Sequence, residues 1–217
     1  MSAKDVFGFI GLWLSKLLFV AFLVAFVAAI TATNLTSESF IKPIMGKILA
    51  SQTSNIGNDQ SQAQMDSLFS EFYNKKVCSG YGCIDMLKNL KNPLDIVTAD
   101  FNRFLKSSLW ILGALVGLFG LFIILLARGL PGKFLSLGSA LIAAGLPYFA
   151  VRFLENNIGS MISLDASMAA SFTKLLIDPV ANIFLLILIL GVVCCAVGFG
   201  IKIYRKIKEK KGKKGKK

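Results

Sequence analysis

The sequence predicts an all-α integral membrane protein with four transmembrane helices and a helical extracytoplasmic domain between spans one and two. Three observations predict this class. Hydrophobic residues make up 55% of the 217 residues and charged residues only 17%, with a mean hydropathy of +0.67. Four apolar runs each have the roughly 20 residues that a helix needs to cross the hydrocarbon core. No stretch shows the sustained apolar–polar alternation of a half-buried strand.

The first span is residues 17–35, and residues 1–16 are predicted to form a cytoplasmic or interfacial N-terminus. In that N-terminus, Val6–Leu14 is expected either to turn along the membrane interface or to extend the span as a helix. Lys16 is expected to reach the lipid headgroups beside Trp13. The alternative is a lysine that functions inside the membrane.

The same end of the chain also resembles a secretory signal peptide, because Lys4 and Lys16 accompany an apolar core that ends near Ile30–Ala32. The apolar stretch is long, however, and it lacks a clean small-residue cleavage site. We therefore expect a retained membrane anchor, and cleavage within residues 1–32 is the alternative.

Three further apolar runs complete the set of spans, at residues 108–127, 134–153 and 180–201. The connection 128–133 between the second and third spans is so short that these two helices must form an antiparallel hairpin. Both ends of this connection are basic, at Arg128 and Lys133.

The distribution of bases predicts how the spans are oriented. In a four-span protein the 128–133 turn and the tail 202–217 lie on one side, and the tail has ten bases and one acid. Lys and Arg are enriched in the cytoplasmic segments of membrane proteins. We therefore predict a multi-pass protein of the cell membrane with both termini in the cytoplasm, and with residues 36–107 and 154–179 outside it.

The connection 36–107 is too long for a simple link and has helical apolar spacing. Apolar residues of Phe40–Leu49 form one stripe, and those of Met65–Tyr73 form another. The polar tract Ser51–Gln64 between them is expected to be a linker. A third helix is predicted to begin at Asn92-Pro93 and to continue into the second span.

Two cysteines of this connection, Cys78 and Cys83, are expected to form a disulfide, because paired thiols usually oxidise outside the cytoplasm. The glycines between them permit the turn that closes so small a ring. A redox-active pair is the alternative. Two thiols without histidine are an incomplete zinc site, so no metal is predicted.

The composition also limits the chemistry. The chain contains no histidine, which excludes Ser-His-Asp triads, HExxH zinc sites and histidine-ligated haem. Spans two to four have no ionisable residue away from their ends, which argues against an ion-coupled transporter. We therefore predict no catalytic residues, no cofactor and no enzymatic activity.

Small residues recur at four-residue spacing in spans two to four and permit close approach of helices. They are expected to pack within the monomer, and packing between copies is the alternative. These candidate helix-packing residues are Gly113, Gly117, Ser139, Ala143, Gly191 and Cys195.

The tail is predicted to continue from the fourth span as a short basic helix and then to become disordered. Its bases are expected to bind anionic lipids of the inner leaflet. Nucleic-acid binding is not expected, because no aromatic platform or recognition motif accompanies the charge. The candidate lipid-binding residues are Lys202, Arg205, Lys206, Lys208, Lys210, Lys211, Lys213, Lys214, Lys216 and Lys217.

The layout of four spans with a large cysteine-bearing first outer loop is similar to that of tetraspanins and claudins. The Cys-Cys-Gly motif of tetraspanins and the Trp-Leu-Trp-Cys-Cys pattern of claudins are absent, so the similarity is one of topology. Quinone-linked thiol oxidases with four helices need a C-x-x-C pair, whereas Cys194 and Cys195 are adjacent. No family is assigned on these residues.

These features favour a membrane protein whose extracytoplasmic helices bind a membrane or extracytoplasmic partner protein, or another copy of the chain. One alternative is an oligomeric pore or channel, because of the small-residue faces. A second alternative is a membrane thiol oxidoreductase that uses Cys78 and Cys83.

Overall fold

The structure is a computed structural model, and it describes residues 3–42, 58–80, 82–88, 96–153 and 177–214. Within these residues the chain is almost entirely helical and has no strand. Shorter helical stretches lie at residues 38–42 and 147–153. The main helices are α1 (Ala3–Leu35), α2 (Asn58–Tyr73), α3 (Gly82–Lys88), α4 (Ala99–Leu126), α5 (Gly129–Gly145) and α6 (Asp178–Lys214).

In the part of the chain that the structure describes, four helical segments are long and apolar enough to cross a membrane: Gly8–Leu35, Ala99–Leu126, Gly129–Phe153 and Asp178–Lys208. Their backbone hydrogen bonds are made within each helix, as a membrane interior requires. The prediction of an all-helical protein with four such helices is therefore confirmed for the described residues. The predicted orientation and the extracytoplasmic placement of residues 36–107 stay predictions.

The helices extend beyond the predicted spans. Helix α1 begins at Ala3, so Val6–Leu14 is a helical extension rather than an interfacial turn. Helix α5 begins at Gly129, so most of the predicted 128–133 turn is the first turn of a helix. Gly129 adopts a φ of +70°, which only glycine adopts readily, and this lets the chain reverse directly after α4.

The C-terminal parts of the third and fourth spans have distinct features. The third span is interrupted at Leu146, directly before Pro147, and helical backbone resumes at residues 147–153. Proline has no N–H to continue the hydrogen-bond ladder, which explains the interruption. Helix α6 continues as helix through Lys214, so the tail is helical further than a short extension of the span.

Contacts divide the chain into two compact units, one comprising Met1–Val27 with Leu112–Lys217 and the other Ala28–Ile111. The first unit has two apolar clusters that join its helices. One cluster contains Phe19, Ile123 and Ala140, from α1, α4 and α5. The other contains Val27, Ala144, Phe184 and Ile187, from α1, α5 and α6.

The unit Ala28–Ile111 has its own apolar core, formed by Ile41, Phe69 and Tyr73. Helix α2 begins at Asn58, so the prediction of a linker is wrong for residues 58–64. The reason is that Gln and Ala are good helix formers even where no apolar stripe is present. The α-helix that enters the second span begins at Ala99, whereas the predicted start at Asn92-Pro93 lies outside the described residues.

Candidate interaction site in Ala28–Ile111

A buried polar cluster joins three parts of the unit Ala28–Ile111. The Asn102 side-chain amide donates hydrogen bonds to the Thr33 carbonyl oxygen at 2.7 Å and to the Thr36 hydroxyl oxygen at 2.8 Å. The Tyr73 hydroxyl donates to the Thr36 carbonyl oxygen at 3.0 Å. These four residues are buried, and satisfied buried polar groups specify one arrangement of the helices that carry them.

The environment of Tyr73 changes its acidity. Burial raises the pKa of the Tyr73 hydroxyl above its ordinary value, because the charged phenolate loses hydration. The hydroxyl therefore remains a neutral donor to Thr36 over the physiological pH range. This contact joins the end of α2 to the chain segment that follows α1.

The Cys78–Cys83 disulfide is formed, with the two Cα atoms 5.0 Å apart. Gly80, inside the ring, has a φ of +52°, so glycine makes this turn possible without strain. Cys83 is completely buried, and Cys78 is half-buried. The disulfide ties the start of α3 to the segment that follows α2.

A cleft of about 500 Å³ opens beside this ring, and we refer to it as the disulfide cleft. The Arg103 guanidinium lies 3.6 Å from Oδ1 of Asp100 in its wall. The other carboxylate oxygen of Asp100 is buried and has no hydrogen-bond partner in the described part of the chain. Residues that line the cleft include Lys76, Cys78, Ser79, Asp100, Arg103 and Ser107.

The lining of the disulfide cleft is polar and includes two cations, Lys76 and Arg103, and the hydroxyl groups of Ser79 and Ser107. Among the described residues, no three His, Cys, Asp or Glu side chains lie close enough to hold a metal ion. The fold thus brings Lys76, Asp100 and Arg103 to one cleft with Cys78. The sequence had indicated the cysteine pair and not these neighbours.

The structure places the predicted helix-packing residues in different environments. Gly191 and Cys195 of α6 face α5: a Cβ atom at Gly191 would lie 2.7 Å from the backbone nitrogen of Ile142. A Cβ atom at Gly113 would only touch Phe26, at 3.5 Å, and one at Gly117 would meet nothing within 4 Å. Packing by Gly117 stays a prediction.

The α5 partners of Gly191 and Cys195 were not among the predicted residues. Gly138 faces Cys195, and Gly145 faces Leu188, with would-be Cβ contacts of 2.6 Å in both cases. Gly198 of α6 similarly faces Leu135. On the face of α5 that contacts α6, glycines alternate with larger residues. Each glycine of one helix lies opposite a larger residue of the other helix, so the two antiparallel helices approach each other very closely.

The other two predicted packing residues of α5 lie on a different face. Ser139 and Ala143 are exposed. Ser139 accepts a hydrogen bond at 3.0 Å from the Lys16 ammonium group of α1. Gly138 and Gly145, which face α6, are seven residues apart. The sequence prediction considered only small residues four apart and therefore missed this pair.

The bases of the tail are placed on α6. The described side chains among them are all exposed, at Lys202, Arg205, Lys206 and Lys208. The backbone is helical at Lys210, Lys211, Lys213 and Lys214. Lys216 and Lys217 lie outside the described residues. Lipid binding by these bases stays a prediction.

Comparison of this chain with protein-family models, curated proteins and solved structures finds no match.

Proposed function

We propose that this chain is a non-enzymatic four-span membrane protein whose residues 36–107 form an extracytoplasmic interaction domain. The domain binds a membrane or extracytoplasmic protein, or another copy of the chain. The observation that carries this proposal is the compact unit Ala28–Ile111, which has its own apolar core, a buried polar cluster and a disulfide. A simple connection between two spans needs none of these features.

Two observations support the orientation. The turn after α4 and the tail of α6 carry the bases Arg128, Lys133 and Lys202–Lys217, and such segments are usually cytoplasmic. The Cys78–Cys83 bond requires an oxidising compartment in most organisms. In this orientation the exposed bases of α6 lie near the anionic lipids of the inner leaflet.

The orientation can be tested with a membrane-impermeant thiol reagent on intact cells. Cys194 and Cys195 are replaced by serine, and the disulfide is reduced before labelling. We expect the reagent to label Cys78 from outside, whereas a Gly212→Cys variant without the other cysteines should require permeabilised cells. Labelling of Cys78 only after permeabilisation would contradict the proposed orientation.

The interaction can be tested by photo-crosslinking in native membranes. A photoreactive amino acid is introduced at one of two exposed positions. Ser79 lines the disulfide cleft, whereas Ser67 of α2 does not. We expect a discrete crosslinked species from position 79 and none from position 67. The size of the species distinguishes a second copy of the chain from a different protein.

A charge reversal sharpens this test. Lys76 lines the cleft, and its neighbour Lys75 is also exposed but does not line it. Lys76→Glu should therefore weaken the crosslink from position 79, and Lys75→Glu should leave it unchanged. A solitary monomer without crosslinked neighbours at either position would refute the interaction proposal.

The thiol oxidoreductase alternative makes a different prediction for the same cysteines. Complete burial of Cys83 favours a structural bond, because exchange requires a thiolate that can reach the disulfide. An activity that is lost in Cys78→Ser while the thermal midpoint stays unchanged would support the redox alternative instead. The pore alternative stays a prediction and would require conductance by the purified protein in liposomes.

A further inference from the structure

A groove between α1 and α5 contains a lysine inside an otherwise apolar stretch of helix. Lys16 lies in the N-terminal half of Gly8–Leu35, a segment long and apolar enough to span a membrane. Ser139 lies in the N-terminal half of a second such segment, Gly129–Phe153. The groove has a volume of about 310 Å³. Its walls are Leu17 and Val20 on α1 and the small residues Ala140 and Ala143 on α5.

The charge on Lys16 lacks a counter-charge within the described part of the protein. Its ammonium group donates one hydrogen bond, to the Ser139 hydroxyl at 3.0 Å, whereas an ammonium group has three donors. No described carboxylate lies within 4 Å of it. A cation in an apolar membrane segment is costly unless it has a partner, so an anionic acceptor at this position would stabilise Lys16.

A second observation indicates the class of that acceptor. Trp13 lies one helical turn before Lys16, lines the same groove and is 60% exposed. Tryptophan with lysine is the pair that proteins place at the level of lipid headgroups. The small side chains of Ala140 and Ala143 leave an apolar channel next to the two polar groups, which an acyl chain can occupy.

We propose that this groove binds one anionic phospholipid, with the phosphate on Lys16 and an acyl chain against Ala140 and Ala143. The Lys16 ammonium group supplies the charge and donates to the phosphate. The Ser139 hydroxyl donates to the Ser136 carbonyl oxygen at 2.9 Å and accepts from Lys16, so it positions the ammonium group and does not itself bind the phosphate. The Trp13 ring covers the chain where it meets the headgroup. The inference depends on membrane insertion and is independent of the interaction domain.

The test uses Trp13 as the reporter in vesicles. A Trp110→Phe change leaves Trp13 as the single tryptophan, because the sequence contains two. Phosphatidylglycerol or phosphatidylcholine with brominated acyl chains quenches a tryptophan that it contacts. We expect phosphatidylglycerol to bind about fivefold more tightly than phosphatidylcholine, the ratio that one lysine–lipid charge contact provides.

Matched variants assign the preference to the groove. Lys16→Gln should abolish the preference and Lys16→Arg should retain it, whereas Lys202→Gln, which removes a base of the α6 tail, should leave it unchanged. Equal quenching by the two lipids in the parent protein would overturn the proposal. So would an unchanged preference in Lys16→Gln.

A variant that keeps the lysine covers the case in which Lys16→Gln fails to insert. Ala143→Leu fills the groove and should reduce quenching by phosphatidylglycerol, whereas Ala114→Leu, at an exposed position of α4 outside the groove, should not. Full quenching in Ala143→Leu would overturn the acyl-chain position. Competition by soluble glycerol phosphate at equal effectiveness would overturn the assignment to a lipid.

Discussion

Gly138 of α5 lies so close to Cys195 of α6 that a Cβ atom on Gly138 would be 2.6 Å from the Cys195 sulfur and 2.8 Å from its backbone nitrogen. Real Cβ atoms do not approach backbone atoms this closely. The absence of a side chain at position 138 is therefore a condition for the contact between these two helices. The same relationship recurs one turn away, between Gly191 and Ile142.

Gly138→Ala should destabilise the protein by about 1–3 kcal/mol, because an added methyl group forces α5 and α6 apart. The measurement is the free energy of unfolding in detergent. Gly117→Ala is the matched control, since a Cβ atom there meets nothing within 4 Å and alanine favours helix. Equal destabilisation of both variants would show that the contact with Cys195 does not limit stability.

Asn102→Leu should destabilise the unit Ala28–Ile111 by about 1–3 kcal/mol. The change removes the amide that donates to the Thr33 carbonyl oxygen and to the Thr36 hydroxyl, and a buried acceptor without a donor is costly. Amide hydrogen exchange in α2 and α4 measures the effect. Asn74→Leu is the control: its amide is exposed and donates only to Ser70, near the end of α2, so it should change the exchange rates of both helices less than Asn102→Leu does.

The Tyr73 hydroxyl should make stability depend on alkaline pH. Burial raises its pKa in the folded state above the ordinary value of 10.0. The folded state therefore favours the neutral phenol, and its contribution is fully present below pH 10.0 and is lost as the pH rises through the raised pKa. The measurement is the unfolding midpoint against pH in the parent and in Tyr73→Phe.

Tyr73→Phe should lose this pH dependence and should also be less stable at neutral pH, because the Thr36 carbonyl oxygen loses its donor. Tyr204→Phe is the control, since Tyr204 is 67% exposed. A tyrosinate absorbance titration gives an independent check. If the tyrosinate absorbance that Tyr73→Phe removes develops at or below pH 10.0 in the parent, the burial argument is wrong.

Cys78→Ser should lower the stability of the unit Ala28–Ile111 by about 2 kcal/mol, the value for so short a ring. Cys83→Ser should have at least the same effect, because it also places a hydroxyl group in a completely buried site. Thermal unfolding under oxidising and reducing conditions measures both. Reduction should lower the midpoint of the parent to near that of Cys78→Ser and should leave the variants unchanged.

Local properties of the sequence predicted much of this architecture. Spans of about 20 apolar residues are recognisable without knowledge of their neighbours, and two cysteines five residues apart meet through a single local turn, which the glycines between them permit. The helix at Asn58 was missed for the opposite reason. Its first turns carry no apolar stripe, and only the intrinsic preference of residues such as Gln60 and Ala63 indicated it.

The pairing of distant residues required the tertiary structure. Gly191 and Cys195 could be predicted to face some helix, but which residues faced them depended on the register of α5 against α6. The polar groups of Thr36, Tyr73 and Asn102 gave no periodic signal, because hydrogen bonds between single side chains leave no pattern along a sequence.

The sequence by itself therefore determined the class of protein, the four membrane-competent helices and the cysteine bond, since these depend on hydropathy summed over a segment or on a short covalent distance. The tertiary structure alone decided that Gly138 meets Cys195, that Asn102 reaches Thr33 and that Lys16 reaches Ser139. Each of these contacts depends on how one helix is rotated and shifted along another. Many side-chain contacts, each of them weakly specific, together determine that rotation and that shift.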